Sequence, residues 1–117
     1  MRIVPKPWGS ELIYAETERY VGKILRLTAG HSLSLQYHEK KDETIYVLSG
    51  ELRLEVDEGG AMSERRLKEG EAYRIRPGVR HRMRADADCT ILEVSSPELE
   101  DVVRLEDAYG RAGTKDP

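Results

Sequence analysis

The feature that most constrains this chain is a two-residue alternation of apolar and polar side chains, carried in short segments and cut repeatedly by glycines and acidic turns. Residues 22–28 alternate and turn at Ala29-Gly30. Residues 32–38 alternate and break at Glu39-Lys40-Lys41-Asp42. The apolar run 45–48 turns at Ser49-Gly50 and resumes as Leu52-Arg53-Leu54-Glu55-Val56, and Asp57-Glu58-Gly59-Gly60 closes a hairpin. Further short strands fit 65–68, 72–75, 81–85 and 90–95. Side chains two apart on a strand share a face, so each segment has one face to bury. Many short strands with regular turns predict an all-β sandwich or barrel. The tail, residues 97–109, breaks the pattern and reads as a short helix or an irregular cap.

Composition narrows the class. A chain of 117 residues suffices for one core, so a single domain over 1–117 is expected. With 38% hydrophobic residues it is too apolar for a disordered chain. No apolar run approaches the ~20 residues needed to cross a bilayer. The first twelve residues, MRIVPKPWGSEL, hold no continuous apolar stretch of the signal-peptide kind. Net charge is −3 without a basic tract, which speaks against nucleic-acid binding. The one cysteine, Cys89, cannot form an internal disulfide, and a cytoplasmic location is expected.

Within this frame a few residues carry chemistry. Alternation places Ser32, Ser34, Gln36 and His38 on one face and Leu33, Leu35 and Tyr37 on the other. Glu43 follows a short charged turn, and chain reversal there brings it towards His38. In 79–85, Val79, His81, Met83 and Ala85 share a face, so His81 points inward while Arg80, Arg82 and Arg84 point out. A lone histidine on an apolar face is ordinarily a core residue, and a lone strand glutamine is ordinarily solvated. The combined spacing is less ordinary: Gly30, Gln36-x-His38, Glu43 and Gly50, then Gly70, Gly78 and His81. Gln36, His38, Glu43 and His81 together make a mixed nitrogen and oxygen donor set for one divalent ion, Zn²⁺ first, with Mn²⁺, Fe²⁺, Co²⁺ or Ni²⁺ also compatible.

Those two stretches resemble the two motifs of the cupin superfamily, with glutamine in place of the usual first histidine and the proline, Pro77, shifted by one position. The fold this implies is a double-stranded β-helix, or jelly-roll barrel. A closer resemblance covers nearly the whole chain. Pro7-Trp8-Gly9-Ser10, Leu33-Ser34-Leu35-Gln36-Tyr37-His38, Val47-Leu48 before Ser49-Gly50, and the tail from Asp101 to Arg111 are similar to the C-terminal cupin domain of type II, bifunctional mannose-6-phosphate isomerase/mannose-1-phosphate guanylyltransferases. There is no room for the guanylyltransferase half. The chain departs from that family at Glu39-Lys40-Lys41-Asp42, where a histidine-rich turn is usual, and at Thr44-Ile45, where His-Trp is usual.

The resemblance implies a metal-dependent conversion of mannose 6-phosphate to fructose 6-phosphate. Such a reaction moves a proton between C1 and C2 of the open-chain sugar and needs an acid/base and a means to stabilise the enediolate. Lys41, two residues before Glu43 and at a position where the family carries a cation, is the first candidate, with a pKa lowered by a neighbouring cation. Lys23 is the second, because it shares a face with Leu25 and Leu27 and so points inward. Either lysine is equally readable as a solvated turn or a snorkelling strand end. Arg104, in the family-like tail, is the candidate phosphate anchor, or else a partner of Glu106 or Asp101. The alternatives are a sugar-binding cupin without turnover, which the missing His-Trp pair favours, and a metal-dependent dioxygenase, which Gln36 disfavours. Leu33, Leu35 and Tyr37 would need a cover, from a second sheet or a second subunit, and a homodimer is expected.

Overall fold

A computed structural model describes residues 1–113. Eleven strands run β1 Arg2–Lys6, β2 Gly9–Glu16, β3 Val21–Leu27, β4 Leu35–Tyr37, β5 Glu43–Ser49, β6 Glu51–Glu58, β7 Ala61–Lys68, β8 Ala72–Ile75, β9 His81–Arg84, β10 Cys89–Ser95 and β11 Val103–Glu106. All pairings are antiparallel and form two sheets, β1-β2-β3-β10-β5-β8 and β11-β4-β9-β6-β7. This is the all-β architecture expected from the alternation and the jelly-roll arrangement implied by the cupin resemblance. No helix among the described residues is long and apolar enough to cross a membrane.

The two sheets close on each other through their alternating inner faces. Leu25, Leu27, Ile45, Val47, Leu52, Leu54, Val56, Ile75, Met83 and Ile91 are buried in one continuous core. Two glycines let the chain make its corners. Gly50 carries the chain from the six-stranded sheet into the five-stranded one with φ +80°, and a Cβ there would stand 2.7 Å from the Asp88 carbonyl oxygen. Gly9 has φ +150°, and a Cβ would meet the carbonyl oxygen of Arg26 at 1.9 Å. That close approach lets β2 start against the end of β3 and leaves neighbouring Trp8 buried in the core.

Two expectations are corrected. The tail is neither helical nor wholly irregular: Val103–Glu106 pairs with β4 as an edge strand. Residues 32–38 are not one strand either. Only Leu35–Tyr37 is regular, and Ser32 makes an isolated bridge to Arg84. The alternation therefore breaks ahead of β4. Leu33 donates its N–H to the Met83 carbonyl and packs against the core, so it does not lie on an uncovered outer face.

Candidate metal centre

The inward row changes character along three strands of the six-stranded sheet. On β3 it reads Leu27, Leu25, Lys23; on β10, Ile91, Glu93, Ser95; on β5, Val47, Ile45, Glu43. Register aligns the changes, because Glu93 faces Lys23 and Ser95 faces Glu43. The barrel is therefore apolar at one end and charged at the other.

At the charged end His38, Glu43 and His81 meet, all buried, with one potential ligand atom each and all three atoms within 4.8 Å of one another. The Glu43 Oε1 lies 3.4 Å from His38 Nε2 and 3.2 Å from His81 Nε2. The far ring nitrogens are already engaged. His38 Nδ1 is 2.5 Å from the Asp101 carbonyl oxygen, and His81 Nδ1 is 2.9 Å from that of Val79. A carbonyl only accepts, so each Nδ1 carries a proton and each Nε2 is left to turn towards Glu43. Glu43 Oε1 and both Nε2 atoms are buried without a hydrogen-bond partner. Three converging lone pairs out of reach of water repel one another unless a cation stands between them. The donor set thus fits a divalent ion, and backbone carbonyls hold both histidines in the ligating tautomer.

Gln36 stands opposite His81 in the β4–β9 pairing and opposite Arg104 in the β4–β11 pairing. Its Oε1 accepts a 2.6 Å hydrogen bond from Ser34 Oγ. The row His81–Gln36–Arg104 crosses three strands, placing Arg104 about 10 Å from His81 at two strand spacings.

Lys41, the first acid/base candidate, which the sequence left equally readable as a solvated turn lysine, is buried. Its Nζ lies 3.2 Å from Glu43 Oε2 and 3.2 Å from Glu93 Oε2. Burial alone would lower its pKa, but Glu93 and Glu43 together raise it above that of an ordinary lysine, the reverse of the lowering expected. Burial likewise pushes Glu43 up, and Lys41 foremost brings it well below the usual carboxylate range. Glu93 goes the other way: burial and the Glu43 charge raise its pKa against the pull of Lys41 and Lys23. Lys23 is buried as expected and donates to Glu11 Oε1 at 2.9 Å. The turn that carries Lys41 is clasped by the Asp101 carboxylate, which accepts from the backbone N–H groups of Glu39, Lys40 and Lys41 at 3.0, 2.7 and 2.9 Å.

Glu11, Lys23, Gln36, His38, Lys41 and Glu93 line a pocket of about 50 Å³, into which the tail also sends Leu99, Val102, Arg104 and Arg111. Five cationic side chains, Lys6, Lys23, Lys41, Arg104 and Arg111, face two carboxylates, Glu11 and Glu93, so the pocket favours an anion. The outward row behaves as expected: Arg80 pairs with Asp57, Arg82 and Arg84 with Glu55, away from the pocket. Lys6, Glu11 and Glu93 were not singled out by the sequence, and Asp101 and Arg111 entered only as part of the tail. A signal existed for Glu93, an acid in the inward row of an apolar strand. Asp101 had none, since its role lies in accepting hydrogen bonds from a turn 60 residues away.

The comparisons agree with this architecture. The cupin domain profile matches residues 23–95, and the chain belongs to the cupin family. It is 33% identical over 115 residues to the xanthan biosynthesis protein XanB of Xanthomonas campestris, covering 94% of this chain and 24% of that protein. To the mannose-1-phosphate guanylyltransferase ManC of Salmonella typhimurium it is 32% identical over 115 residues, covering 94% of this chain and 23% of the relative. The chain thus spans about a quarter of the length of these curated relatives. Among solved structures, KdgF from Halomonas superposes with a TM-score of 0.72 over 83% of this chain and 86% of that one, at 22% identity, which speaks to the fold.

Proposed function

We propose that this cupin is a metal-dependent sugar-phosphate isomerase of the mannose 6-phosphate to fructose 6-phosphate type. The observation that carries the reading is the convergence of three unsatisfied ligand atoms, on His38, Glu43 and His81, beside a pocket dominated by buried cations. Gln36 completes the donor set from the neighbouring strand. Zn²⁺ is the first choice for nitrogen and oxygen donors, with Mn²⁺, Fe²⁺, Co²⁺ or Ni²⁺ behind it. Once bound, the ion supplies Lewis acidity to the oxygens on C1 and C2.

The remaining work falls to the chain. Arg104, two strands from His81, anchors the phosphate and sets the reach of the sugar towards the ligands. Lys41, held protonated by two carboxylates, supplies positive charge and a proton donor to the enediolate oxygens, while Glu93, which lines the same pocket, takes the proton from C2 and returns it to C1. Lys23 holds Glu11 in place and adds to the positive field. Trp8, Leu25 and Met83 give the pocket an apolar side that limits water around the bound sugar. The chain acts as one cupin unit over residues 1–117, in the cytoplasm.

A coupled assay of mannose 6-phosphate isomerisation with added Zn²⁺, Mn²⁺ or Co²⁺ tests this. Metal-dependent turnover is expected. No turnover with any phosphosugar, while such a ligand still raises the melting temperature, would instead establish the second reading, a sugar-binding module. One observation favours that second reading: both candidate acid/base lysines are tied to carboxylates.

A homodimer belongs to the same proposal, on a different surface from the one expected. Leu12, Ile24, Leu92 and Tyr46 stand opposite one another across β2, β3, β10 and β5. This apolar row faces outward, flanked by exposed Leu48 and Val94. A second copy of the chain covers it. A monomer by size-exclusion chromatography with light scattering would refute this.

A further inference from the structure

Of the two carboxylates in the pocket, Glu11 is the one the reaction as described leaves without a task. Its side chain is 8% exposed. Oε1 is committed to Lys23 Nζ at 2.9 Å. Oε2 is buried with no hydrogen-bond partner, and the nearest cation, Lys6 Nζ, stands 3.7 Å away, an ion-pair distance without a hydrogen bond. Burial raises the Glu11 pKa, but Lys23 and then Lys6 more than offset this and leave it below the ordinary value. The group is a carboxylate with one acceptor oxygen unused, aimed into the pocket that Lys6, Arg104 and Arg111 make cationic.

A buried acceptor left unsatisfied is costly, and a buried carboxylate in a pocket for anions weakens the binding of any anion that brings no donor. Both costs disappear with a ligand that carries an anionic group for the cations and a hydroxyl for Glu11. We infer that Glu11 is the specificity-determining residue of the pocket: Oε2 accepts a hydrogen bond from a sugar hydroxyl, so that the site takes a phosphorylated polyol and discriminates against a bare anion. The inference rests on the phosphosugar reading of the pocket but not on turnover.

If Glu11 served only as a counter-ion, replacing it by a neutral isostere would make the pocket more cationic and strengthen every anion alike. The test is therefore a ratio. Binding of mannose 6-phosphate and of inorganic phosphate to the Zn²⁺-loaded full chain is measured by calorimetry for the native protein and Glu11→Gln. The native protein is expected to prefer the sugar phosphate. In Glu11→Gln that preference falls by about tenfold or more, the size of one hydrogen bond to a charged group. Should Glu11→Gln fail to fold, Glu11→Asp keeps the charge beside Lys23 but withdraws the oxygen, and the same fall is expected. A preference that survives in the variant that folds overturns the inference, as does a native protein that binds both ligands equally. Selective binding without turnover, lost in Glu11→Gln, sustains the inference while removing the isomerase reading. Turnover with unchanged selectivity does the reverse.

Discussion

The two ends of this barrel are built by the same strands and obey different physics. β3, β5 and β10 each contribute Leu, Ile or Val to one end and Lys23, Glu43 or Glu93 to the other. At the apolar end the inner residues are interchangeable in kind, because burial of apolar area is non-directional and only volume matters closely. At the charged end each residue depends on a named partner: Lys41 on Glu93 and Glu43, Lys23 on Glu11, His38 on Asp101. One end therefore contributes stability and the other spends part of it on burying ions, whose desolvation the pairing only partly offsets. The comparison shows why a site can be placed inside a small barrel: the strands are already held by the far end.

The sharpest way to break that division is at the histidines. His81→Ala is expected to lower the metal content of purified protein from about one ion per chain to near none and to abolish isomerisation, since three-donor sites lose most of their affinity with one ligand. Unchanged metal content by elemental analysis would remove His81 from the site. At the other end, Leu52→Ala is expected to cost about 2–5 kcal/mol in urea unfolding, as a fully buried leucine does, with metal content unchanged. Loss of the metal in Leu52→Ala would mean that the two ends are coupled.

A smaller effect comes from acid. Glu11 and Asp107 both have pKa values below their ordinary 4.5 and 3.8: burial pushes each up, and Lys23 and Arg111 respectively outweigh it. A lowered folded-state pKa means that the unfolded chain binds the proton more readily. The stability these two carboxylates supply is thus complete above about pH 4.5 and drains away as pH falls through their folded-state values. Metal-free protein should show a plateau in urea midpoint above that pH and a decline below it, with a shallower decline in Glu11→Gln. The smallest effect is expected on the surface, where Arg66 reaches Glu51 and Asp86 at 3.4 and 3.5 Å with half its side chain in water. Arg66→Ala should leave the urea midpoint indistinguishable from that of the native protein and leave metal and ligand binding alone.

Much of this was legible in the chain itself because alternation is a local property. It marked β3, β5, β6, β8, β9 and β10, turned His81 and Lys23 inward, and sent Arg80, Arg82 and Arg84 out. It was silent on β1 and β2, where Pro5 and Pro7 interrupt the pattern; β1 tolerates Pro5 as the edge of its sheet. It erred at 32–34, where only one isolated bridge holds the chain, and a period of two means nothing without a ladder to enforce it.

The sequence by itself determined an all-β sandwich or barrel and the face on which each candidate ligand lies. Those follow from spacing along short segments. Only the tertiary structure decided that Lys41 is a buried, protonated cation instead of a solvated turn lysine, that the tail is a strand delivering Arg104 to the pocket, that the exposed apolar face lies on the six-stranded sheet, and that Glu11 waits beside Lys23 with one oxygen unused. Each of these depends on the register between strands distant in the chain, and the energy of a buried charge is set by whatever that register places within a few ångströms of it.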